Sequence, residues 1–260
     1  MSEAGRVDIA ISGVRRSFRQ GRDTIDALRD INLDVAHHDF IALLGPSGCG
    51  KSTLLRLMTG LDQPDAGSVL MRGRDPRAFR RTGDLGIAFQ DAALLPWRSI
   101  RDNLKVPLEV LGRPVRQYEG RIDDLLRMVG LSGYERALPG QLSGGMRQRA
   151  ALARALISDP SILLLDEPFG ALDQITRRTL NVELQRIWSE RHITTVLVTH
   201  GVDEAAFLAS RIVVLHARPG RIAAVVDVPF PYPRDPALFG DPVFIAFCER
   251  LMAIMNGQAA

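Results

Sequence analysis

The chain has 260 residues, 46% of them hydrophobic and 24% charged, so it can bury the core of one large domain, with or without a subdomain. Its formal net charge is +3 and its basic residues form no long consecutive block, which argues against a nucleic-acid partner. The two cysteines lie far apart, the first residues contain no apolar signal segment and no run of about eighteen apolar residues occurs, so we expect a cytoplasmic protein that does not span a membrane.

The first seventy residues are predicted to be rich in β-structure. Residues 7–11 and 25–35 alternate between polar and apolar types, as half-buried strands do, and residues 67–71 predict a further strand. Phe18 lies between the first two strands. It could fill the core or offer the face of its ring to an adenine base, and the pattern does not decide between these roles.

A glycine-rich loop separates the apolar run 40–44 from the helical run 54–58. The loop consists of Gly45, Pro46, Ser47, Gly48, Cys49, Gly50, Lys51, Ser52 and Thr53. Its spacing, G-x-x-x-x-G-K-S between a strand and a helix, is that of a phosphate-binding loop, whose glycines let successive N–H groups point at phosphate oxygens. The dipole of the following helix adds to this attraction.

Two side chains of the loop have predicted roles. Lys51 would contact the outer phosphates of a nucleotide, and the Ser52 hydroxyl would hold Mg²⁺. An ordinary glycine turn is the alternative interpretation. A dinucleotide-binding loop does not fit, because Thr53 occupies the third glycine position.

A helical insertion is predicted after the next strand. Residues 84–89 predict a short buried strand with Gln90 at its end, and the pattern from 100 to about 131 is helical, with predicted breaks at Pro107, Gly112 and Pro114. Composition therefore changes from β to α within the nucleotide-binding region.

The run from Leu142 to Arg149, Leu-Ser-Gly-Gly-Met-Arg-Gln-Arg, precedes an amphipathic helix that should end near residue 157. Ser143 at a helix start is an ordinary N-cap. Gly144 and Gly145 would also expose backbone N–H groups and make an anion-binding corner. The capping role needs only the serine, whereas the anion-binding role uses the whole run.

Carboxylates and a histidine follow two apolar strands. Residues 161–165 show no polar alternation, as in a central parallel strand covered on both faces, and Asp166 and Glu167 come next. Asp166 is placed to orient a Mg²⁺ shell and Glu167 to polarise an attacking water, the alternative being a solvated turn. Thr199 and His200 end the predicted strand 193–198 at the same sheet edge, which favours a γ-phosphate contact of His200 over a purely structural role.

The order of these motifs, with Asp173 after the carboxylates, resembles that of ABC transporter ATP-binding subunits over nearly the whole chain. Three segments resemble the nitrate/sulfonate/taurine importer group, namely residues 94–98, 166–173 and 217–222. The resemblance implies an α/β P-loop NTPase core with an N-terminal antiparallel β subdomain and a helical insertion subdomain. It also implies an ABC ATPase domain over 1–240, with the helical subdomain at about 91–158, and a short C-terminal helix and tail over 241–260.

The resemblance further implies a homodimer in which two copies, head to tail, enclose two ATP–Mg²⁺. One subunit would supply the loop 45–53 together with Phe18, Gln90, Asp166, Glu167 and His200. The other subunit would supply Ser143, Gly144, Gly145 and Gln148. Within this set, the implied catalytic residues are Lys51, Glu167 and His200, and the implied metal ligands are Ser52, Gln90 and Asp166. Asp173 would lie at the dimer seam.

The implied function is ATP-driven import of a small anionic or zwitterionic solute, taurine, another sulfonate or nitrate, at the cytoplasmic face of the cell membrane. The implied partners are integral-membrane permease subunits, contacting the segment around Trp97, and an extracytoplasmic solute-binding protein. A soluble ABC-type ATPase acting on ribosomes or DNA is the alternative, but such proteins usually carry two cassettes or a long coiled-coil insertion. A P-loop kinase or GTPase would leave residues 143–145 and His200 unexplained. Gly201 departs from the family, which usually has Asp there.

Overall fold

The computed structural model of the protein describes residues 6–21, 23–170, 172–217 and 219–257. Ala171 and Arg218, which belong to two of the importer-like segments, lie outside the described residues.

The described strands are β1 (Val7–Gln20), β2 (Asp23–Ala36), β3 (Phe40–Leu44), β4 (Ala66–Met71), β5 (Leu85–Ala88), β6 (Ile162–Asp166), β7 (Thr194–Thr199), β8 (Arg211–His216) and β9 (Arg221–Asp227). The described α-helices are α1 (Lys51–Met58), α2 (Pro76–Arg80), α3 (Ile100–Val110), α4 (Glu119–Met128), α5 (Gly144–Leu156), α6 (Gln174–Arg191), α7 (Val202–Leu208) and α8 (Pro242–Met255). Short 3₁₀ turns lie at Val115–Tyr118, Pro139–Gln141 and Pro236–Gly240.

The larger sheet has the strand order β5-β6-β7-β3-β8-β9, parallel except for β9. Strand β3 is buried along its whole length because both faces of the sheet are covered. Phe40 and Leu44 face the core shared with the helices of the insertion and the C-terminal half, whereas Ile41 and Leu43 face α1 and the smaller sheet. The carboxyl ends of β3, β6 and β7 therefore meet at one edge, where ligands bind in such sheets.

The smaller sheet is antiparallel, with the order β2-β1-β4. Asp8 of β1 is fully buried and joins the two sheets, because its carboxylate accepts hydrogen bonds from Arg72 (2.8 Å) and from Thr194 of β7 (2.5 Å) and lies 2.8 Å from His37 Nδ1. Burial opposes ionisation of Asp8, but these hydrogen bonds and the Arg72 charge outweigh it, so its pKa is lowered.

The predicted α/β architecture, with an N-terminal antiparallel sheet and helices inserted between β5 and β6, is confirmed. The predicted break at Pro107 is wrong, since Pro107 lies inside α3, which continues to Val110. The breaks predicted at Gly112 and Pro114 are confirmed, since both residues lie between α3 and the 3₁₀ turn at Val115–Tyr118. Strand β9 was not predicted, because its residues alternate only between half-buried and exposed positions at the edge of the sheet.

Candidate active site

The phosphate-binding loop joins the end of β3 to α1. Gly50 has φ 96°, and a β-carbon there would lie 2.6 Å from Leu28 Cδ2, so only glycine fits without displacement. Helix α1 begins at the next residue, Lys51. The Lys51 ammonium is buried and donates to the carbonyl oxygens of Gly45 (2.6 Å) and Pro46 (3.0 Å). The lysine is thus held within the curl of the loop.

Ser52 and Asp166 meet although they are 114 positions apart. The Ser52 hydroxyl donates to Asp166 Oδ1 at 3.1 Å. Burial raises the pKa of Asp166 and the neighbouring Glu167 charge adds to this, while the Ser52 hydrogen bond and the Lys51 charge oppose it. A cation at this position would offset both the burial and the repulsion between the two carboxylates.

The donor set fits Mg²⁺ of the kind that nucleotides carry. The described ranges contain no group of three or more His, Cys, Asp or Glu side chains able to hold a metal. Mg²⁺ usually keeps several waters and binds through one or two carboxylates together with substrate phosphates, so it needs no all-protein cage. One hydroxyl and one carboxylate, both with hard oxygen atoms, match that requirement.

Glu167 follows Asp166 in a left-handed backbone conformation, with φ 47°. A non-glycine residue in this region stores strain, which is common at functional sites. The conformation is held by hydrogen bonds from Glu167 N to Val198 O (2.9 Å) and from Gly170 N to Glu167 O (3.1 Å). Glu167 Oε2 lies 3.5 Å from Nδ1 of His200, whose side chain is 60% exposed.

Lys51, Ser52, Glu167 and His200 line one pocket of about 500 Å³, and Asp166 lies behind Ser52, outside the lining. Its lining residues are Phe18, Ala27, Ser47, Gly48, Gly50, Lys51, Ser52, Thr53, Gln90, Glu167 and His200. Phe18 is 40% exposed and carries the Arg16 guanidinium 4.8 Å from its ring centroid, so the core-filling interpretation is wrong. Ala27 of β2 was missed by the sequence reasoning, because a small residue in an alternating strand gives no signal of its own.

A second group of predicted site residues lies outside this pocket. Ser143 and Gly144 are exposed at the start of α5, where the Ser143 hydroxyl oxygen accepts a hydrogen bond from Met146 N (3.2 Å) and caps the helix. Asp173 caps α6 by accepting from Thr176 N (3.0 Å), and this backbone hydrogen bond lowers its pKa. Ile175, two residues further along, is 81% exposed. Ser143 therefore is an N-cap that also stays accessible to another molecule.

Gln148 differs from its neighbours in the same run. Its side chain is buried and its amide Nε2 donates to the carbonyl oxygen of Gln90 at 3.2 Å. Gln148 thus forms its hydrogen bond within its own subunit, where it holds the backbone of Gln90 at the rim of the pocket.

No α-helix within the described ranges is both long and apolar enough to cross a membrane.

Comparisons with known proteins agree with this geometry. Residues 28–170 match the ABC transporter family. The aliphatic sulfonates import ATP-binding protein SsuB of Bacillus licheniformis is 41% identical over 247 residues, which are 95% of this chain and 93% of that protein. An uncharacterised ABC transporter ATP-binding protein of Methanocaldococcus jannaschii is 44% identical over 253 residues, which are 97% of this chain and 93% of that protein.

Solved structures agree as well. The ATP-binding cassette MJ0796, in a dimeric post-hydrolysis state bound to ADP and Pi, superposes with a TM-score of 0.79 at 29% identity, covering 86% of this chain and 100% of that chain. The predicted P-loop NTPase fold is thereby confirmed. The chain belongs to the ABC transporter family as an ATP-binding cassette, and it is an ATPase.

Proposed function

We propose that this cassette powers the import of a small sulfonate. The observation that carries the proposal is the single pocket that unites the phosphate-binding loop with Gln90, Glu167 and His200. The relative named as an aliphatic sulfonates import protein supports the choice of solute, and taurine is itself a sulfonate. Nitrate remains in the proposal through the importer-like segments of the sequence. The relatives give no support to a partner such as a ribosome or DNA.

Within the pocket, each side chain has a proposed task. Phe18 stacks on adenine, the loop 45–53 surrounds the phosphates and Lys51 neutralises the outer ones. Ser52 and Gln90, with Asp166 behind Ser52, would hold Mg²⁺, and the ion would neutralise charge on the phosphates. Glu167 orients and polarises the attacking water.

His200 is proposed to contact the γ-phosphate. It lies beside the Glu167 carboxylate on the same rim, and its exposed ring can reach into the pocket. Proton transfer and charge stabilisation are then supplied from two neighbouring strand ends, β6 and β7.

Two copies are proposed to complete each site. Ser143, Gly144 and Gly145 are absent from the pocket lining of their own chain and stay accessible at a helix N-terminus, which suits a phosphate group held by a second subunit. Asp173 would lie at the seam between the copies. The dimeric state described for MJ0796 supports this arrangement.

A membrane permease is proposed to bind beside the helical subdomain, which we place at about 91–158 within an ATPase domain of 1–240. Trp97 is 73% exposed, and a large exposed aromatic residue is a typical anchor of an interface. The protein would then act at the cytoplasmic face of the membrane, with an extracytoplasmic solute-binding protein delivering the solute. Residues 241–260 would form a short C-terminal helix and tail.

The proposal is tested by uptake of labelled taurine, an alkanesulfonate and nitrate in cells whose only copy carries Lys51→Ala. We expect loss of sulfonate uptake, restored by the unaltered chain. Arg186→Ala is the control, because Arg186 is a cation of α6, outside both the pocket and the helical subdomain, and forms only partly exposed ion pairs with Glu183 and Glu190. Loss of nitrate uptake with unaltered sulfonate uptake would make nitrate, instead of a sulfonate, the imported solute. Unaltered uptake of all three solutes would contradict import.

A further inference from the structure

The linking segment, residues 91–99 between β5 and α3, has no regular secondary structure. Side chains of two helices nevertheless hold its backbone by hydrogen bonds at several positions. Arg154 of α5 donates from Nη2 to Ala92 O (2.7 Å) and from Nη1 to Ala93 O (2.8 Å). Ala93 has φ 44°, a left-handed conformation that a residue with a β-carbon avoids unless it is held. The guanidinium fork thus fixes two successive carbonyl groups at a strained position.

Asn103 of α3 holds the other half of this linking segment. Its side chain is fully buried, and Oδ1 accepts from Leu95 N at 2.7 Å. Its Nδ2 group donates to the carbonyl oxygens of Leu95 (3.1 Å), Arg98 (3.0 Å) and Ser99 (3.0 Å). The exposed Trp97 therefore projects from a backbone that is fixed on both sides.

Helix α5 connects this segment to two other parts of the molecule. At its start it presents Ser143, and through Gln148 it also donates to the carbonyl of Gln90, at the pocket rim. Arg154 forms the next contact along the same helix. One rigid element therefore contacts the pocket, the segment that carries Trp97 and the surface offered to a second subunit.

We propose that Arg154 is a positioning residue that locks the linking segment to α5, so that ATP binding at Gln90 moves Trp97 and the Ser143 end of α5 as one body. This inference rests on the proposed contact between Gln90 and the nucleotide–metal complex. Burial lowers the pKa of Arg154 and no described carboxylate opposes this, so the carbonyl groups of the segment are its partners. A planar fork suits two adjacent carbonyl oxygens, whereas lysine offers a single point of charge.

The test uses Trp97 as the reporter of the segment. Trp188 is the other tryptophan of the chain, and its buried Nε1 has no hydrogen-bond partner among the described residues. Trp188→Phe therefore removes no observed hydrogen bond and leaves Trp97 as the sole source of tryptophan emission. The emission of Trp97 is recorded with and without Mg²⁺ and a non-hydrolysable ATP analogue. Binding of labelled ATP is measured separately by equilibrium dialysis.

In the Trp188→Phe chain we expect the nucleotide to change Trp97 emission. Arg154→Gln should reduce this change at least about threefold while ATP affinity shifts by less than about twofold, because the lost hydrogen bonds lie outside the phosphate-binding loop. Arg149→Gln is the matched control. Arg149 lies on the same helix and also donates to two carbonyl groups, those of Val129 (2.8 Å) and Gly130 (3.1 Å), away from the segment. It should keep the full response.

Arg154→Lys decides the question if Arg154→Gln does not fold, and it should lose the response as well. A full response in the Arg154 variant that folds would overturn the inference, as would equal losses in Arg154→Gln and Arg149→Gln. Bound ATP without any Trp97 response in the starting chain would overturn it while leaving the ATPase site intact. Failure to bind ATP would instead count against the site itself and remove the inference with it.

Discussion

Glu167, which has a left-handed backbone conformation, is the residue proposed to accept a proton from the attacking water. Replacing it with glutamine keeps the size of the side chain and removes its ability to take a proton. We expect Glu167→Gln to bind ATP as the unaltered chain does and to lose roughly 10²–10⁴-fold in turnover. Phosphate release and ATP binding, measured on the same preparation, check this. Turnover at the normal rate would show that Glu167 is not the base.

Glu204 is a further carboxylate near the site, in addition to Asp166 and Glu167, and the proposed mechanism does not use it. It is buried in α7, where Oε2 accepts a hydrogen bond from the Thr199 hydroxyl and Oε1 has no hydrogen-bond partner within the described part of the chain. Burial raises its pKa to about 7, against the opposing effects of the Thr199 hydrogen bond and the Arg177 charge.

Glu204 therefore makes stability depend on pH in a definite direction. A carboxyl whose pKa rises from 4.5 to about 7 on folding stabilises the folded state when protonated, and this contribution is lost as the pH rises through about 7. The full effect is about 3 kcal/mol. Relative to the unaltered chain, Glu204→Gln should gain up to this amount between pH 4.5 and pH 8. Urea unfolding at several pH values measures it, and a difference independent of pH would contradict the ionisation of Glu204.

At the scale of elements, continuous and chemically marked runs could be predicted from the sequence. The strand β6, the glycine loop after β3 and the cap at Ser143 each have a local cause, so their residues identify them. Strand β9 and the contacts of Arg154 and Asn103 have no such local cause. They depend on which backbone the fold brings beside them, and no spacing along the chain encodes that.

The buried carboxylate of Asp8 in β1 is hydrogen-bonded to Thr194 in β7 of the other sheet. The sequence around either residue could not predict this contact, because the two are far apart along the chain. Asp8→Asn removes the charge opposite Arg72 and one of the two acceptor oxygens that Arg72, His37 and Thr194 share, and we expect it to lower the free energy of unfolding by about 3 kcal/mol. Because the pKa of Asp8 is lowered, the difference should be full at neutral pH and vanish as the pH falls well below 3.8. Asp34→Asn, an exposed position on β2, is the control for unfolding in urea. Equal effects of the two changes would contradict the role of Asp8.

For the whole molecule, the predicted site residues fall into two sets that one chain does not bring together. The pocket holds the phosphate-binding loop, Glu167 and His200, whereas Ser143 and Asp173 cap two helices outside the pocket. Under the proposed function, either set alone would leave the nucleotide incompletely enclosed. Head-to-tail association of two chains would complete both sites at once, since a symmetric dimer repeats every contact.

Dimerisation should therefore require bound ATP, and the dimer should persist only when hydrolysis is slow. With Mg²⁺ and ATP, we expect Glu167→Gln to form a dimer, detected by light scattering after size exclusion, and to remain a monomer when Lys51→Ala is added. Ile175 and Val110 provide a matched pair, because their side chains are 81% and 80% exposed and only Ile175 lies near Asp173. Ile175→Glu should prevent the dimer without loss of ATP binding, since a charge buried at the seam is costly, whereas Val110→Glu should leave the dimer intact. A monomer of Glu167→Gln at saturating ATP, or equal effects of the two glutamates, would contradict the proposed seam.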